Sequence, residues 1–232
     1  MRHVLWGLVG PLLLIGLLPS AGWSLSIGQR DTFEDGTAQN WIAVLGGASP
    51  VNVPSGGPAG AGDHYLLLTS VGGVGPGNRL TIINMSQWTG DFIAAGVSGI
   101  RMDLNNLGQT DLSLRLLFAD PMGGPPTNQA FSAKAFKLPG DSGWTTAYFP
   151  IDPADLLASP GLGTVPAALH HTTGLLLFSS TGPAFPGDAI VATLGVDNIT
   201  ATPEPASAAL LGSGLLALYT FTRIRRTTDG RQ

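Results

Sequence analysis

An all-β fold, an antiparallel sandwich or barrel, is what this sequence predicts for its central part. Three observations lead there. Short apolar segments show a two-residue period, turn-forming clusters separate them at regular intervals, and 33 glycines with 18 prolines in 232 residues leave little room for long helices. The charged fraction is low, 11%, yet Leu, Ile, Val and Phe recur in compact runs, which is the pattern of a packed domain and not of a disordered chain.

The predicted strands follow in order: DHYLLLTS (63–70), NRLTIIN (78–84), GIRMDL (99–104), DLSLRLLFA (111–119), FSAKAFKL (131–138), GWTTAYFPI (143–151), GLLLFSS (174–180) and IVATLGVDNIT (190–200). Alternation is clearest in the fourth, where Leu112, Leu114, Leu116 and Phe118 share one face and Ser113 and Arg115 the other. In FSAKAFKL the alternation is less clean. Helix is expected only in IDPADLLA, with Asp152 as cap and Pro153 in the first turn, and in PAALHH.

Both ends read as something other than fold. Residues 1–26, MRHVLWGLVGPLLLIGLLPSAGWSLS, carry a short basic start, a long apolar stretch and small residues at two small-x-small sites. That is the layout of a secretory signal peptide, with cleavage expected between Ala21 and Ile27. Residues 202–232 run from Pro203-Glu204-Pro205 through an uncharged stretch, a transmembrane helix of about 206–222, to Arg223, Arg225 and Arg226. As a helix its sixteen uncharged residues would be about 24 Å long against a hydrocarbon core of ~30 Å. Five leucines supply only about −1.5 to −3 kcal/mol of insertion free energy. The segment is thus a marginal permanent anchor, and its arginines favour a cytoplasmic C-terminus.

The order of these parts (Pro-Glu-Pro, a short spacer, a Leu/Gly/Ala helix, a terminal arginine cluster) resembles the PEP-CTERM sorting signal of Gram-negative bacteria. The resemblance implies an exported protein, tethered at the inner membrane until an exosortase processes it, then at the cell surface or extracellular, with exopolysaccharide as a plausible contact. Domain limits follow as 1–26, 27–201 and 202–232.

Within the domain, DTFEDGTAQNW (31–41), GIRMDLNNLGQTDLSLRLLF (99–118), GWTTAYFPI and the closing GVDNIT (195–200) resemble the galactose-binding-like jelly roll of carbohydrate-binding modules. That resemblance implies a jelly-roll β-sandwich and a structural calcium between the first and last strands. Asp31, Glu34, Asp35 and Asp197 occupy the matching regions, and Ca²⁺ wants six to eight oxygens, several from carboxylates. The competing reading is that these acids start turns and face solvent.

Other constellations exclude more than they offer. Between residues 30 and 200 six basic residues face thirteen acidic ones, so no phosphate-tracking stripe exists and nucleic-acid binding is not expected. Absent cysteine removes disulfides and thiolate metal sites. GDSG (140–143) repeats a serine-protease tetrapeptide, yet no histidine stands in a supporting context, and a hairpin turn is the simpler reading. Glu34 is the one glutamate of the domain, which argues against a pair of catalytic glutamates. A non-enzymatic role is expected. Sugar binding would need an exposed ring, and Trp88, in NMSQWTGD between strands, is the candidate. A structural matrix protein without a discrete ligand is the alternative, and a glycan-active enzyme a more remote one.

Overall fold

The computed structural model describes residues 25–44, 46–121 and 125–203. Thus the predicted signal peptide lies outside the described residues up to Ser24, and so does the sorting segment beyond Pro203. Among the described residues no helix is long and apolar enough to cross a membrane.

The protein is mostly β, with two antiparallel sheets packed face to face. The strands are β1 (Arg30–Asp31), β2 (Trp41–Ala43), β3 (Val51–Val53), β4 (Tyr65–Val71), β5 (Thr81–Asn84), β6 (Gly99–Asn106) and β7 (Leu112–Asp120). There follow β8 (Asn128–Ser132), β9 (Phe136–Leu138), β10 (Trp144–Pro150), β11 (Leu156–Ala158), β12 (Gly174–Ser179) and β13 (Val191–Thr202), with one α-helix among the described residues, α1 (Val165–His170). Sheet A has the order β10-β6-β13-β4-β3, with β1 also on β13; sheet B has the order β11-β8-β7-β12-β5-β2, with β9 also on β7. The chain crosses between the sheets repeatedly, so strands adjacent in sequence seldom pair.

The two-residue period fixes what lies between the sheets. Ile100, Met102 and Leu104 of β6, Leu66 and Leu68 of β4, and Leu194 and Val196 of β13 meet Leu112, Leu114, Leu116 and Phe118 of β7 and Leu175 and Leu177 of β12. All are buried, as the alternation in DLSLRLLFA requires. Each such side chain contributes about 1.5–3 kcal/mol relative to exposure.

Three expectations need correction. FSAKAFKL is not one strand: it breaks at Ala133–Ala135 into β8 and β9, which occupy successive stretches of the same edge of β7. The reason is Arg115, whose guanidinium takes the Ser132 and Ala133 carbonyls at 2.6 and 2.8 Å exactly where the ladder lapses. IDPADLLA makes only a single 3₁₀ turn, Pro153–Asp155, capped as expected by Asp152 on the Ala154 N–H, before Leu156 enters β11. The GDSG turn, with Asp141 and Gly143 at positive φ, carries the chain from β9 in sheet B to β10 in sheet A and is not a hairpin within one sheet.

One buried carboxylate joins the sheets at the N-terminal end. Asp31 Oδ2 accepts the indole N–H groups of Trp41 (2.8 Å) and Trp88 (2.6 Å) and the Gln87 amide (3.1 Å). Burial outweighs these donors and raises the Asp31 carboxyl above its ordinary range. Replacing it with alanine strands three buried donors, each worth about 1–3 kcal/mol. Asp31→Ala is therefore expected to cost about 3 kcal/mol or more in urea unfolding, and Asp31→Asn, which keeps an acceptor, markedly less. Equal losses for the two variants would remove the hydrogen-bond explanation.

Candidate functional site

The outer faces of the two sheets differ in chemistry, and each holds a candidate site. On sheet B the inter-strand register aligns Ile42, Ile83, Leu176, Leu117, Phe131 and Leu157 on six successive strands, β2, β5, β12, β7, β8 and β11. These side chains sit opposite the ones that fill the core. The first five floor a groove about 19 Å long, from four inter-strand spacings. Its volume is about 880 Å³, and its walls are Met85, Pro126, Ser159–Pro160 and Pro183–Phe185. No charged side chain lines it among the described residues, and Gln129 and Ser159 are its polar side chains.

Arg115 holds one wall. Besides the two carbonyls at the β8–β9 break, its guanidinium donates to Ser180 O and Thr181 O at 3.0 Å each, at the start of the loop that carries Pro183–Phe185. Burial lowers the Arg115 pKa from its ordinary value, with Asp188 opposing the shift. Asp188 closes the same loop by accepting the Thr181 N–H at 2.7 Å.

On sheet A the outer face is polar. At the register position where β13 crosses β6, Asp197 stands opposite Asp103, just before a bulge at which Asn198 takes φ +53°. Asp197 is buried; its Oδ1 accepts the Asn198 N–H at 2.6 Å, and its Oδ2 has no hydrogen-bond partner. Burial, reinforced by the nearby charges of Asp63, Asp103 and Glu34, pushes its pKa up to about 7. Asp103 is itself held by Thr146 (2.6 Å) and Asn198 (2.8 Å), Asp63 by the Ala59 N–H (2.6 Å), and Glu34 by the His64 N–H (3.0 Å).

The four acids read from the sequence as calcium ligands therefore do not share one place. Asp31 is taken by its three donors. Asp35 is exposed and turned onto the Thr37 N–H and hydroxyl at 2.9 Å, which hold its pKa below the ordinary range. Glu34 and Asp197 do fall in one neighbourhood, with Asp63 and Asp103, which sequence reasoning missed. Among the described residues no three histidine, aspartate or glutamate side chains converge at metal-ligand spacing. The quartet Asp31, Glu34, Asp35 and Asp197 thus does not form a Ca²⁺ shell as a unit. Its one cation-like feature is the orphaned Asp197 oxygen.

Trp88 also needs correction. It is fully buried, with its indole nitrogen on Asp31, and offers no face to a sugar. Trp41 is fully buried in the core, whereas Trp144 is partly exposed on β10 of sheet A. Its ring meets Tyr65 edge-on at 5.3 Å, and its N–H donates to Gly56 O at 2.9 Å. Gly195 lies beneath, where a Cβ would approach the Trp144 ring to 3.0 Å.

The remaining motifs assemble no nucleophile. Ser142 Oγ donates to Gly143 O and accepts from the Asn106 N–H, with no histidine hydrogen-bonded to it among the described residues. His170 closes α1 and pairs with Asp91 at 2.8 Å on the surface.

No protein-family model matches the sequence, and no curated protein does. Solved structures do match. Part of an exo-β-agarase superposes with a TM-score of 0.52 at 16% identity, covering 78% of this chain. The chain spans only about a quarter, 26%, of that enzyme's length. A family 11 carbohydrate-binding module from Clostridium thermocellum, in complex with a β-1,3-1,4-mixed-linked tetrasaccharide, superposes at 0.47 and 14% identity, covering 77% of this chain and 97% of its own. A family 28 module specific for non-crystalline cellulose does so at 0.48 and 13%, with the same coverages. At these identities the likeness is one of fold.

The Asp197 environment makes stability depend on pH in a definite direction. A carboxyl whose pKa rises from 3.8 to about 7 on folding binds its proton more tightly when folded, so stability is lost as pH climbs between those values. In EDTA the melting temperature should fall from about pH 5 to pH 8, and Asp197→Asn should flatten that slope. An unchanged slope in Asp197→Asn would assign the dependence to other groups.

Proposed function

We propose that this is an exported, non-catalytic protein of a Gram-negative cell surface or extracellular matrix, built as a jelly-roll sandwich, that binds polysaccharide in the sheet B groove. The groove carries the reading. It is long, open and floored by one register-aligned row, the shape that an extended polymer fits. The fold shared with part of an exo-β-agarase is in keeping with a carbohydrate context. A second reading, a structural matrix protein with no discrete ligand, is favoured by one observation: neither tryptophan nor tyrosine lines the groove among the described residues.

Delivery follows the PEP-CTERM pattern of Pro203, Glu204, Pro205, Arg223, Arg225 and Arg226, with an exosortase as processing partner and an inner-membrane-tethered intermediate. Pro203 is exposed, directly after β13. Leu25 belongs to the core, so signal cleavage upstream of Leu25 would leave the packing whole. A structural Ca²⁺, on this reading, would be held through Asp197 Oδ2, the carboxylate oxygen that no protein donor answers, and would offset the charge that burial disfavours.

Three measurements test these statements. Binding of the protein to a panel of neutral polysaccharides should saturate, and Phe185→Ser at the groove rim should weaken it by about tenfold; flat signals across the panel would leave the matrix reading. Deleting residues 203–232 should move the exported protein from the surface fraction to the periplasm or medium, and an unaltered distribution would end the sorting proposal. In a melt without EDTA, millimolar Ca²⁺ at pH 8 should raise the melting temperature of the wild type but not of Asp197→Asn; no rise in the wild type would remove the calcium.

A further inference from the structure

We propose that the sheet B groove selects polysaccharide bearing acyl ester substituents, O-acetyl groups above all, and discriminates against the same backbone without them. The inference rests on the reading of this groove as a polysaccharide site and specifies its ligand.

The floor of Ile42, Ile83, Leu117, Phe131 and Leu176 is aliphatic but for one ring. A bare pyranose presents a hydroxyl at most carbons, each a donor and an acceptor, and burying them without partners is unfavourable. This floor answers few of them. Sugar sites usually meet hydroxyls with several convergent polar side chains, and here two line the groove. The chemistry that does fit is a neutral group with a small apolar end and an acceptor but no donor. An anionic substituent would meet no cation, since no charged side chain lines the groove among the described residues.

The second observation is Gln129. It stands on β8 two residues before Phe131, on the same outer face, and is 8% exposed. Its backbone bonds to Leu162 and Ser159, but its side-chain amide makes no hydrogen bond among the described residues. An amide of a largely buried residue that has no protein partner and opens to a groove leaves a donor for a ligand to take. An ester carbonyl accepts from that amide N–H, while its methyl lies on Leu117 and Leu176 and displaces water from apolar surface. The geometry thus pairs a partnerless donor, buried at the groove floor, with the carbonyl that an acyl ester adds.

The test uses the full chain held in amphipol and biolayer interferometry on acetylated glucomannan, acetylated xylan and partly acetylated cello-oligosaccharides. Each polymer is paired with its own alkali-deacetylated form. Binding at least about tenfold tighter to the acetylated member of a pair is expected, with most of that preference lost in Gln129→Leu. Equal binding within pairs overturns acyl selection and leaves polysaccharide binding in place. No binding to any member overturns both. Thermal melts of the variant establish that it is folded, and Phe185→Ser, at the exposed rim, provides a second variant should Gln129→Leu not fold. A preference that survives in a folded variant of each kind also overturns the proposal.

Discussion

The sandwich depends on one buried oxygen. Asp31 Oδ2 gathers the indole N–H groups of two tryptophans and a glutamine amide, and through them β1, β2 and the segment after β5 become one unit. Both indoles are large apolar bodies with a single polar atom, so the core can bury them only if that atom is answered. One carboxylate answers both. β1 is only two residues long and pairs with β13 of sheet A, while Trp41 belongs to sheet B, so the carboxylate bridges sheets that few short connections could otherwise align.

A second buried ion does the comparable work at the other end of sheet B. Arg115 lies on the strand face opposite the core and is held by four main-chain carbonyls: Ser132, Ala133, Ser180 and Thr181. Those carbonyls exist to be bound because β8 stops and the post-β12 loop turns away from the sheet. The cation thereby fixes the wall of the groove without projecting charge into it. A neutral groove can lie beside a buried guanidinium because four of its five donors are spent on the backbone.

Much of the fold was legible because burial on one face leaves a period of two, and DLSLRLLFA displays it without ambiguity. The groove was less legible, though its signal was present. Leu116-Leu117-Phe118 and Leu175-Leu176-Leu177 are apolar on both faces, and a strand that is apolar on both faces has its outer side covered or available to a ligand. Trp88 was misread because local context cannot tell an indole in a loop from one folded under it; the partner that buries it, Asp31, is 57 residues away. The Asp197 neighbourhood was half legible for the same reason. Glu34 and Asp197 follow from the ends of the domain, but Asp63 and Asp103 arrive by the β3–β4 loop and by register, which one sequence does not announce. The break in FSAKAFKL likewise needed Arg115, remote in sequence from the carbonyls it collects.

The position of the termini bears on how the groove can be used. Residues 25–28 and the end of β13 meet through Gly28 N–H on Ala201 O and Ala201 N–H on Gln29 O, while Thr202 accepts from the Ser98 N–H. Both ends of the described chain therefore leave together from the tip of sheet A. The groove lies on the outer face of sheet B, across the whole thickness of the core. The acidic cluster of Asp197 and Asp103, by contrast, sits on the outer face of sheet A, on the strand β13 with which the first described strand pairs. The two sheets thus carry opposite outer chemistry: sheet A holds both ends of the described chain and an acidic cluster, and sheet B presents a neutral apolar groove.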